Sequence, residues 1–394
     1  MIKINRLNKI INKMNIVYAQ EKFPNEVTKS IFLAGPTSRE NKRTQWRLDA
    51  IDILNNLNYD GTLFIPEIIN GKFNNKYDEQ VEWESNAMNR ADIIVFYIPR
   101  DKDNLALTTN VEFGEWYKSG KIVVGFPKDS IHNSYIQNKA ESEKLTIHNT
   151  LEDTLKEAVN IIGDGAYRKD DLTLIPLEIY KTNNFQKWYN AQHNVGNKIL
   201  MSKYQYIYKA LPDKKFLFLW ILYMKIYIKA EDRIKGNELV ISRPDISSVL
   251  MYLPNKNLMK TKIILVKEFR NPVKNSDCFT YELPGGSSKI SDDPLLIMKN
   301  EIKEETDLDI DKSRIIQEQT RQCTSTLNTY SSHLFSVKLT NDDISQINKS
   351  MKNTHGVIED TEKTYVLFET LENILDNELV DWSNVGMILS VLNK

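Results

Sequence analysis

Between residues 30 and 162 the chain alternates short, wholly apolar runs with longer segments whose apolar residues recur every three or four positions. Residues 30–36 (SIFLAGP), 62–68, 91–99 (ADIIVFYIP) and 121–127 (KIVVGFP) are the runs, and each predicts a buried strand. Within 44–57, Trp46, Ala50, Ile53, Leu54 and Leu57 fall at helical spacing, and further helices are expected over about 78–90, 110–119 and 150–162. Gly120 stands where helices commonly end in the left-handed region. Strands that are apolar on both faces and separated by helices imply an α/β fold, a doubly wound parallel sheet covered on both sides. No G-x-G-x-x-G follows the first strand, so the dinucleotide-binding fingerprint is missing.

The flanking regions have a different texture. The first 20 residues alternate apolar and basic positions without a continuous apolar stretch, so 1–29 reads as a loosely docked tail and the cytoplasm is the default compartment. Residues 166–230 are rich in aromatics, from Tyr180, Phe185, Trp188 and Tyr189 to the run FLFLWILYM, and read as a packing segment between two domains. From 231 the pattern becomes strand-rich: 238–242, 247–253, 262–267 and 279–283, then 332–337 and 364–368, with a strong helix between the two groups and a last helix over 381–392. The expected organisation is therefore a tail (1–29), a first domain (30–165), a connecting segment (166–230) and an α+β second domain (231–394).

Composition narrows the function classes. A chain of 394 residues with 41% apolar and 27% charged residues can bury two cores. Lys+Arg 52 against Asp+Glu 53 leaves a formal charge of -1, which removes the usual electrostatic argument for a nucleic-acid binder. The two cysteines, Cys278 and Cys323, are too few for a disulfide scaffold or a Cys-based zinc site. The longest apolar run, 216–224, falls far short of the ~20 residues a spanning helix needs, so no membrane role is expected.

Two acidic constellations carry candidate chemistry. The segment 108–116 (TTNVEFGEW) follows the third strand, at the sheet end where ligands of parallel α/β folds sit and helix N-termini point. Glu112 there has two compatible readings, the last residue of a Thr109-x-x-Glu112 capping box and a reactive carboxylate kept ionised by the helix dipole. Glu82 and Glu84 lie on the preceding helix, either as solvated surface charges or as the second carboxylate that cleavage of a glycosidic bond requires. Arg39 and Arg47, near Gly35-Pro36-Thr37, are candidate contacts for a phosphate or hydroxyl.

The motifs IFLAGPT (31–37), WR (46–47), DGTLFIPE (60–67), YDEQVEWE (77–84), ADIIVFYIPRD (91–101) and TTNVEFGEW (108–116) resemble, in the right order, those of the nucleoside 2-deoxyribosyltransferase-like proteins. The resemblance covers about 30–160. It implies a Rossmann-like fold, a retaining two-step reaction through a glycosyl–enzyme ester, and a homo-oligomer. It assigns the nucleophile to Glu112 and the base-side acid to Glu84, with Gly35, Pro36, Thr37, Arg39, Arg47, Asp92 and Asn110 around the substrate. The Asp pair that well-studied transferases carry before the nucleophile is replaced here by Ala106, Leu107, Thr108 and Thr109.

In the second domain, Tyr281-Glu-Leu-Pro-Gly-Gly286 leads into a helix with Asp293 as its N-cap and Pro294 at its first position. Glu301, Glu304 and Glu305 fall at i, i+3 and i+4 on one side of that helix. Such a cluster is either a solvated acidic face or a site for a hard divalent cation, which carboxylate oxygens coordinate alongside phosphate. Gly286, Glu301, Ile302, Glu304, Glu305 and Leu308 resemble the Nudix box, and ELPGG with Lys267-Glu-Phe-Arg270 resembles its ADP-ribose pyrophosphatase branch. This likeness implies a Nudix fold over 231–394, Mg²⁺ or Mn²⁺ held by Glu301, Glu304 and Glu305, catalysis involving Glu305, and substrate contacts at Gly285 and Gly286. Asp292, Asn300 and Asp307 depart from the box, and Asn300 lacks the charged fork of the family Arg. Glu359 and Glu362 are the candidates for a further catalytic carboxylate.

The expectation is a bifunctional nucleotide-processing enzyme, cleaving or transferring an N-glycosidic bond and hydrolysing a nucleoside diphosphate derivative such as ADP-ribose. The alternative is a sensor whose Nudix module binds such a ligand and controls an N-terminal glycohydrolase acting on NAD. In either case the partner is a nucleoside, nucleotide or dinucleotide.

Overall fold

The computed structural model describes residues 14–37, 46–68, 77–210, 216–287, 293–356 and 363–394. The chain divides into two compact units, Met1–Val240 and Ile241–Lys394.

In the first unit, β1 (Asn15–Tyr18), β2 (Glu26–Val27), β3 (Ser30–Ala34), α1 (Trp46–Asn56), β4 (Thr62–Ile65), α2 (Tyr77–Arg90), β5 (Ile93–Tyr97), α3 (Leu107–Trp116), β6 (Ile122–Gly125), α4 (Ser134–Ser142), β7 (Ile147–His148) and α5 (Leu151–Ile162) follow one another. Six of these strands form a parallel sheet in the order β1-β4-β3-β5-β6-β7, consistent with a Rossmann-like fold. Its strands are apolar on both faces because both faces are covered. Phe32, Phe64, Ile94, Phe96 and Val124 pack with Trp83, Ala87 and Met88 of α2, Phe113 and Trp116 of α3, and Ile136 of α4. The alternate residues Ile31, Leu33, Leu63, Val95 and Val123 pack with Ala50 and Leu54 of α1 and Leu155 and Ala158 of α5.

The described part of the expected N-terminal tail is structured. Asn15–Tyr18 pairs in parallel with β4 as an edge strand, and Met14, Val17 and Ala19 are buried. Val17 and Ala19 join one face of the core, and Met14, Ile16 and Tyr18 the other, but the apolar run of the strand is only three residues long and follows the basic, Asn-rich stretch.

The aromatic-rich segment is also part of the first unit. It contains β8 (Arg168–Lys169), paired with β2, then helices α6 (Leu177–Tyr180) and α7 (Asn183–Asn194), and two strands that form a three-stranded sheet in the order β11-β10-β9 with a strand expected in the second domain. These strands are β9 (Lys198–Ala210), β10 (Phe216–Ile228) and β11 (Arg233–Ser242). Ile179, Phe185 and Tyr189 pack on Ile207, Trp220, Leu222 and Met224 of the sheet as a separate small core.

Asp92, expected among the substrate contacts, instead joins this segment to the sheet at the opposite end from the carboxyl termini of the strands. Its carboxylate accepts hydrogen bonds from Ser30 N at 2.8 Å, Leu177 N at 2.7 Å and the fully buried Arg168 guanidinium at 2.6 and 2.7 Å. A paired and fully satisfied buried carboxylate of this kind holds structure and has no lone pair to spare for a ligand.

The second unit is built on a seven-stranded sheet. It comprises β12 (Ile246–Leu253), β13 (Lys262–Phe269), β14 (Phe279–Glu282), β15 (Gly285–Gly286), β16 (Ile316–Gln322), β17 (Ser331–Lys338) and β18 (Thr364–Thr370). The path runs β14-β13-β12-β17-β16, with β15 on β12 and β18 on β13, and only β12–β17 is parallel among the pairs with a defined register. Helices α8 (Pro294–Thr306) and α9 (Asn341–Ser350) cover one face through Met298, Ile302 and Ile347. The other face is covered by α10 (Leu371–Asp376) and α11 (Trp382–Leu392), through Leu371, Ile374, Ile388 and Val391. Among the described residues, no helix is long and apolar enough to cross a membrane.

Candidate active site

The chain leaves β3 toward β4 on one side and then crosses to β5 on the other, so the topology switches beside β3. In parallel α/β sheets the crevice at the carboxyl ends of such strands is the natural ligand site. Four segments meet there: Gly35-Pro36-Thr37 after β3, Glu67 after β4, α2 before β5, and α3 after it. Gly35 is required by close approach. A Cβ there would run into the carbonyl oxygen of Tyr97 and lie 2.8 Å from the Trp46 ring.

Arg47 organises the crevice. Its Nε donates to Leu33 O at 3.3 Å and its Nη2 to Gly35 O at 2.8 Å. Nη1 donates to Pro36 O at 3.2 Å, Thr37 Oγ1 at 3.0 Å and Glu67 Oε1 at 2.6 Å. The guanidinium is thus a buried buckle that shapes the 35–37 turn, and burial pushes its pKa below the ordinary arginine value against the pull of Glu67, Glu112 and Glu84. The expected phosphate contact at Arg47 is corrected on this geometry, because its donors are turned inward onto the protein. Arg39 lies outside the described residues.

Glu67 is a further carboxylate at the crevice, beyond the residues expected from the sequence. Its signal was its place directly after a buried parallel strand, in Ile65-Pro-Glu67, where side chains face the crevice.

Glu112 and Glu84 are brought together. Glu112 is half-buried on α3, and burial first, then the charge of Glu84, push its carboxyl up to about 8, while Arg47 opposes the rise. Glu84, half-buried on α2, is raised by burial as well, against a 2.9 Å hydrogen bond from Gln80 and the charge of Arg47. Glu82 is exposed on α2. Lys121 fixes the end of that helix, since its buried ammonium donates to the carbonyls of Met88 at 2.6 Å, Asn89 at 3.1 Å and Ala91 at 2.9 Å.

Two expectations about Glu112 are corrected. The helix begins at Leu107, not near Asn110, and its N-cap is Ala106 in the left-handed region with φ 50°, so no Thr109–Glu112 capping box forms. Glu112 is then the sixth helical residue, beyond the free N–H groups of the first turn, and the dipole no longer keeps it charged. Burial and the neighbouring carboxylate win, and the acid holds its proton near neutrality.

The left-handed Ala106 stores strain of about 1 kcal/mol or more beside the crevice. The loop that imposes it is tied to the site, since Asn104 receives Ala106 N at 3.3 Å and donates to Thr37 O at 3.4 Å. Asn110 accepts from Arg100, whose Nη1 also donates to His132 O at 3.1 Å. Asn110 therefore holds α3 to the loop after β5.

In the second unit the acidic trio divides. Glu305 is buried and accepts from Gly285 N at 2.9 Å, and Glu301 occupies the space where a Cβ at Gly286 would stand. Glu304 is exposed, as is Asn300. Asp307 takes the left-handed cap with φ 59°. Among the described residues no three acidic, His or Cys side chains are placed to hold a metal ion. Asp292, Glu359 and Glu362 lie outside the described residues.

Residues 28–130 match the family model described as nucleoside 2-deoxyribosyltransferase like, a similarity that suggests an enzyme of glycosyl transfer or cleavage acting on a nucleoside or nucleotide. No curated protein matches the chain. The family match does not extend to the second unit, so the likeness of 231–394 to Nudix proteins rests on its motif residues alone.

Proposed function

We propose that the first unit cleaves, or transfers across, the N-glycosidic bond of a nucleoside or nucleotide through Glu112, with Glu84 as the base-side acid. The observation that carries this reading is the pairing of two half-buried carboxylates, each with a raised pKa, at the switch point of a parallel sheet. The ionised Glu112 carboxylate attacks the anomeric carbon, the C–N bonding pair leaves with the base, and Glu84 delivers a proton to that base. Water or a second base then displaces the ester, its proton returning to Glu84. With a carboxyl titrating near 8, about one-tenth of Glu112 is ionised at pH 7. The pair fits a single shared proton: Glu84 must hold it, and Glu112 must lose it, for the first step to run.

For the second unit the proposal is recognition of a nucleoside diphosphate derivative such as ADP-ribose, beside the short strand Gly285–Gly286. Support comes from the Nudix-box residues and from the backbone–carboxylate contact of Gly285 and Glu305. Asn300, which lacks the charge and bidentate fork of the family Arg, favours binding over hydrolysis.

The test is a base-release screen of nucleosides, nucleotides and NAD by chromatography, with Glu112→Gln as the control. Base release that disappears in the variant supports the reading, and undiminished release overturns it. ADP-ribose incubated with Mg²⁺ separates the two activities of the second unit, because only hydrolysis yields AMP.

A further inference from the structure

The charges of the whole chain nearly cancel, but they are unevenly distributed. Strands β9 and β10, residues 198–210 and 216–228, contain four lysines and no acidic residue, and they carry much of the aromatic stretch. Residues paired across two strands share a face of the sheet. The pairs Ile207–Trp220 and Tyr204–Leu222 face the small core described above. Tyr208, Tyr206, Lys203 and Lys198 of β9 and Lys225 of β10 belong to the pairs that face the other way.

That outer face is uncovered. Tyr206 and Tyr208 are 45% and 46% exposed, although both stand inside a long strand paired along its length. The Tyr208 ring meets Phe218 edge-on, with centroids 6.3 Å apart. Lys198, Lys203 and Lys225 are exposed, and among the described residues no carboxylate pairs with them. The fourth lysine shows what a structural role looks like here: Lys209 donates to Gly120 O at 3.0 Å and pairs with Glu178 at 2.7 Å. The fold makes no such use of the other three. Rings and ammonium groups left together on one open face mark an interaction surface rather than a core.

We propose that this face binds single-stranded nucleic acid, with bases stacking on Tyr206 and Tyr208 and phosphates meeting Lys203, Lys225 and Lys198. Exposed rings beside unpaired cations on one sheet supply the two things that single-strand binding needs, a stacking platform and a charge-complementary track. A duplex offers the same charge but keeps its bases stacked on one another, so the rings favour the single strand. A membrane surface is entered by the apolar side of an amphipathic helix, whereas these phenols stand on paired strands. A second copy of the chain docked face to face would bring the same three lysines together, and like charges repel. Neither the Glu112 chemistry nor the second unit enters into this site.

Full-length protein is titrated, by fluorescence anisotropy, into a labelled oligouridylate of about 16 nucleotides, its oligothymidylate counterpart and a DNA duplex of the same length. Saturable binding of the single strands is expected, with the duplex weaker. Three phosphate contacts to a single strand predict a slope of log affinity against log salt of about -2, so a roughly fourfold rise in salt weakens binding about twentyfold. Tyr206→Ala and Tyr208→Ala each weaken it about tenfold at unchanged slope, and the phenylalanine variants by much less. Lys203→Ala and Lys225→Ala each flatten the slope by about 0.7. All four side chains are exposed, so the melting temperature should stay with that of the wild type. No single-strand binding by the wild type, or binding that survives the tyrosine and lysine variants alike, overturns the proposal. Equal binding of single strand and duplex that depends on the lysines alone overturns it as well. Cosedimentation with phosphatidylserine vesicles in place of oligonucleotide binding assigns the face to a membrane, and self-association in its place, abolished by the tyrosine variants, assigns it to a second copy; either result overturns it.

Discussion

Two helices, α3 in the first unit and α8 in the second, each present a glutamate that the sequence marks as reactive, and their surroundings make those acids chemically different. Glu112 is half-buried opposite Glu84, with Arg47 already bound by Glu67, and its carboxyl is pushed up to about 8. Glu304 is exposed, and its neighbours Glu301 and Glu305 are directed at β15 (Gly285–Gly286). Identical side chains at helical positions thus become a coupled pair in one unit and a divided trio in the other. Neighbours and burial, more than spacing along a helix, decide what a carboxylate can do.

The largest effect that would break this contrast is expected from Glu112→Gln, which should lower base release by roughly a thousand-fold or more, measured at saturating substrate. Arg47→Met removes the buckle of the 35–37 turn and leaves Glu67 and three carbonyls without their donor. A loss of about 3–5 kcal/mol in denaturant unfolding is expected, as for other broken buried pairs. Glu84→Gln should cost roughly a hundred-fold in base release. It should also move the alkaline rise of the pH–rate profile, governed by the ionisation of Glu112 near 8, to lower pH, because a like charge has been removed.

Stability offers a further test. The folded pKa of Glu112 lies above its value in the unfolded chain, so the folded state holds the proton more tightly and loses stability as pH rises from about 4.5 to about 8. The melting temperature of Glu112→Gln should therefore exceed that of the wild type at pH 9, and the gap should close toward pH 4. An unchanging gap would mean that the carboxyl is not perturbed. The smallest effects belong to the second unit. Glu305→Ala, which orphans Gly285 N, should cost about 1–3 kcal/mol, and Glu304→Ala less than about 0.5 kcal/mol.

The central strands β3, β4, β5 and β6 and the helices between them were legible because each is a solid apolar run or a periodic stripe, and both patterns are local. Asn15–Tyr18 escaped because its apolar run is only three residues long, although it packs on both faces of the sheet. The aromatic stretch escaped because β9, β10 and β11 alternate faces against a small separate core that has no signature in one segment alone. At the site, Glu112 and Glu84 were visible as motif residues, but their mutual influence is a property of two helices meeting. The Thr109-x-x-Glu112 spacing mimicked a capping box, and the chain entered the helix three residues earlier through the strained Ala106, which propensity disfavours. Asp92 and Arg47 were expected as ligand contacts because the resemblance places both around the substrate and Arg47 lies near the 35–37 turn. Their partners Arg168 and Glu67, 76 and 20 residues away, turn both inward.

Mass spectrometry of the protein acid-quenched during turnover tests the role of Glu112 most directly. The account predicts a sugar ester on the peptide that contains Glu112, absent from Glu112→Gln. Rapid base release with no ester on that peptide, or with the sugar attached to another residue, would contradict it.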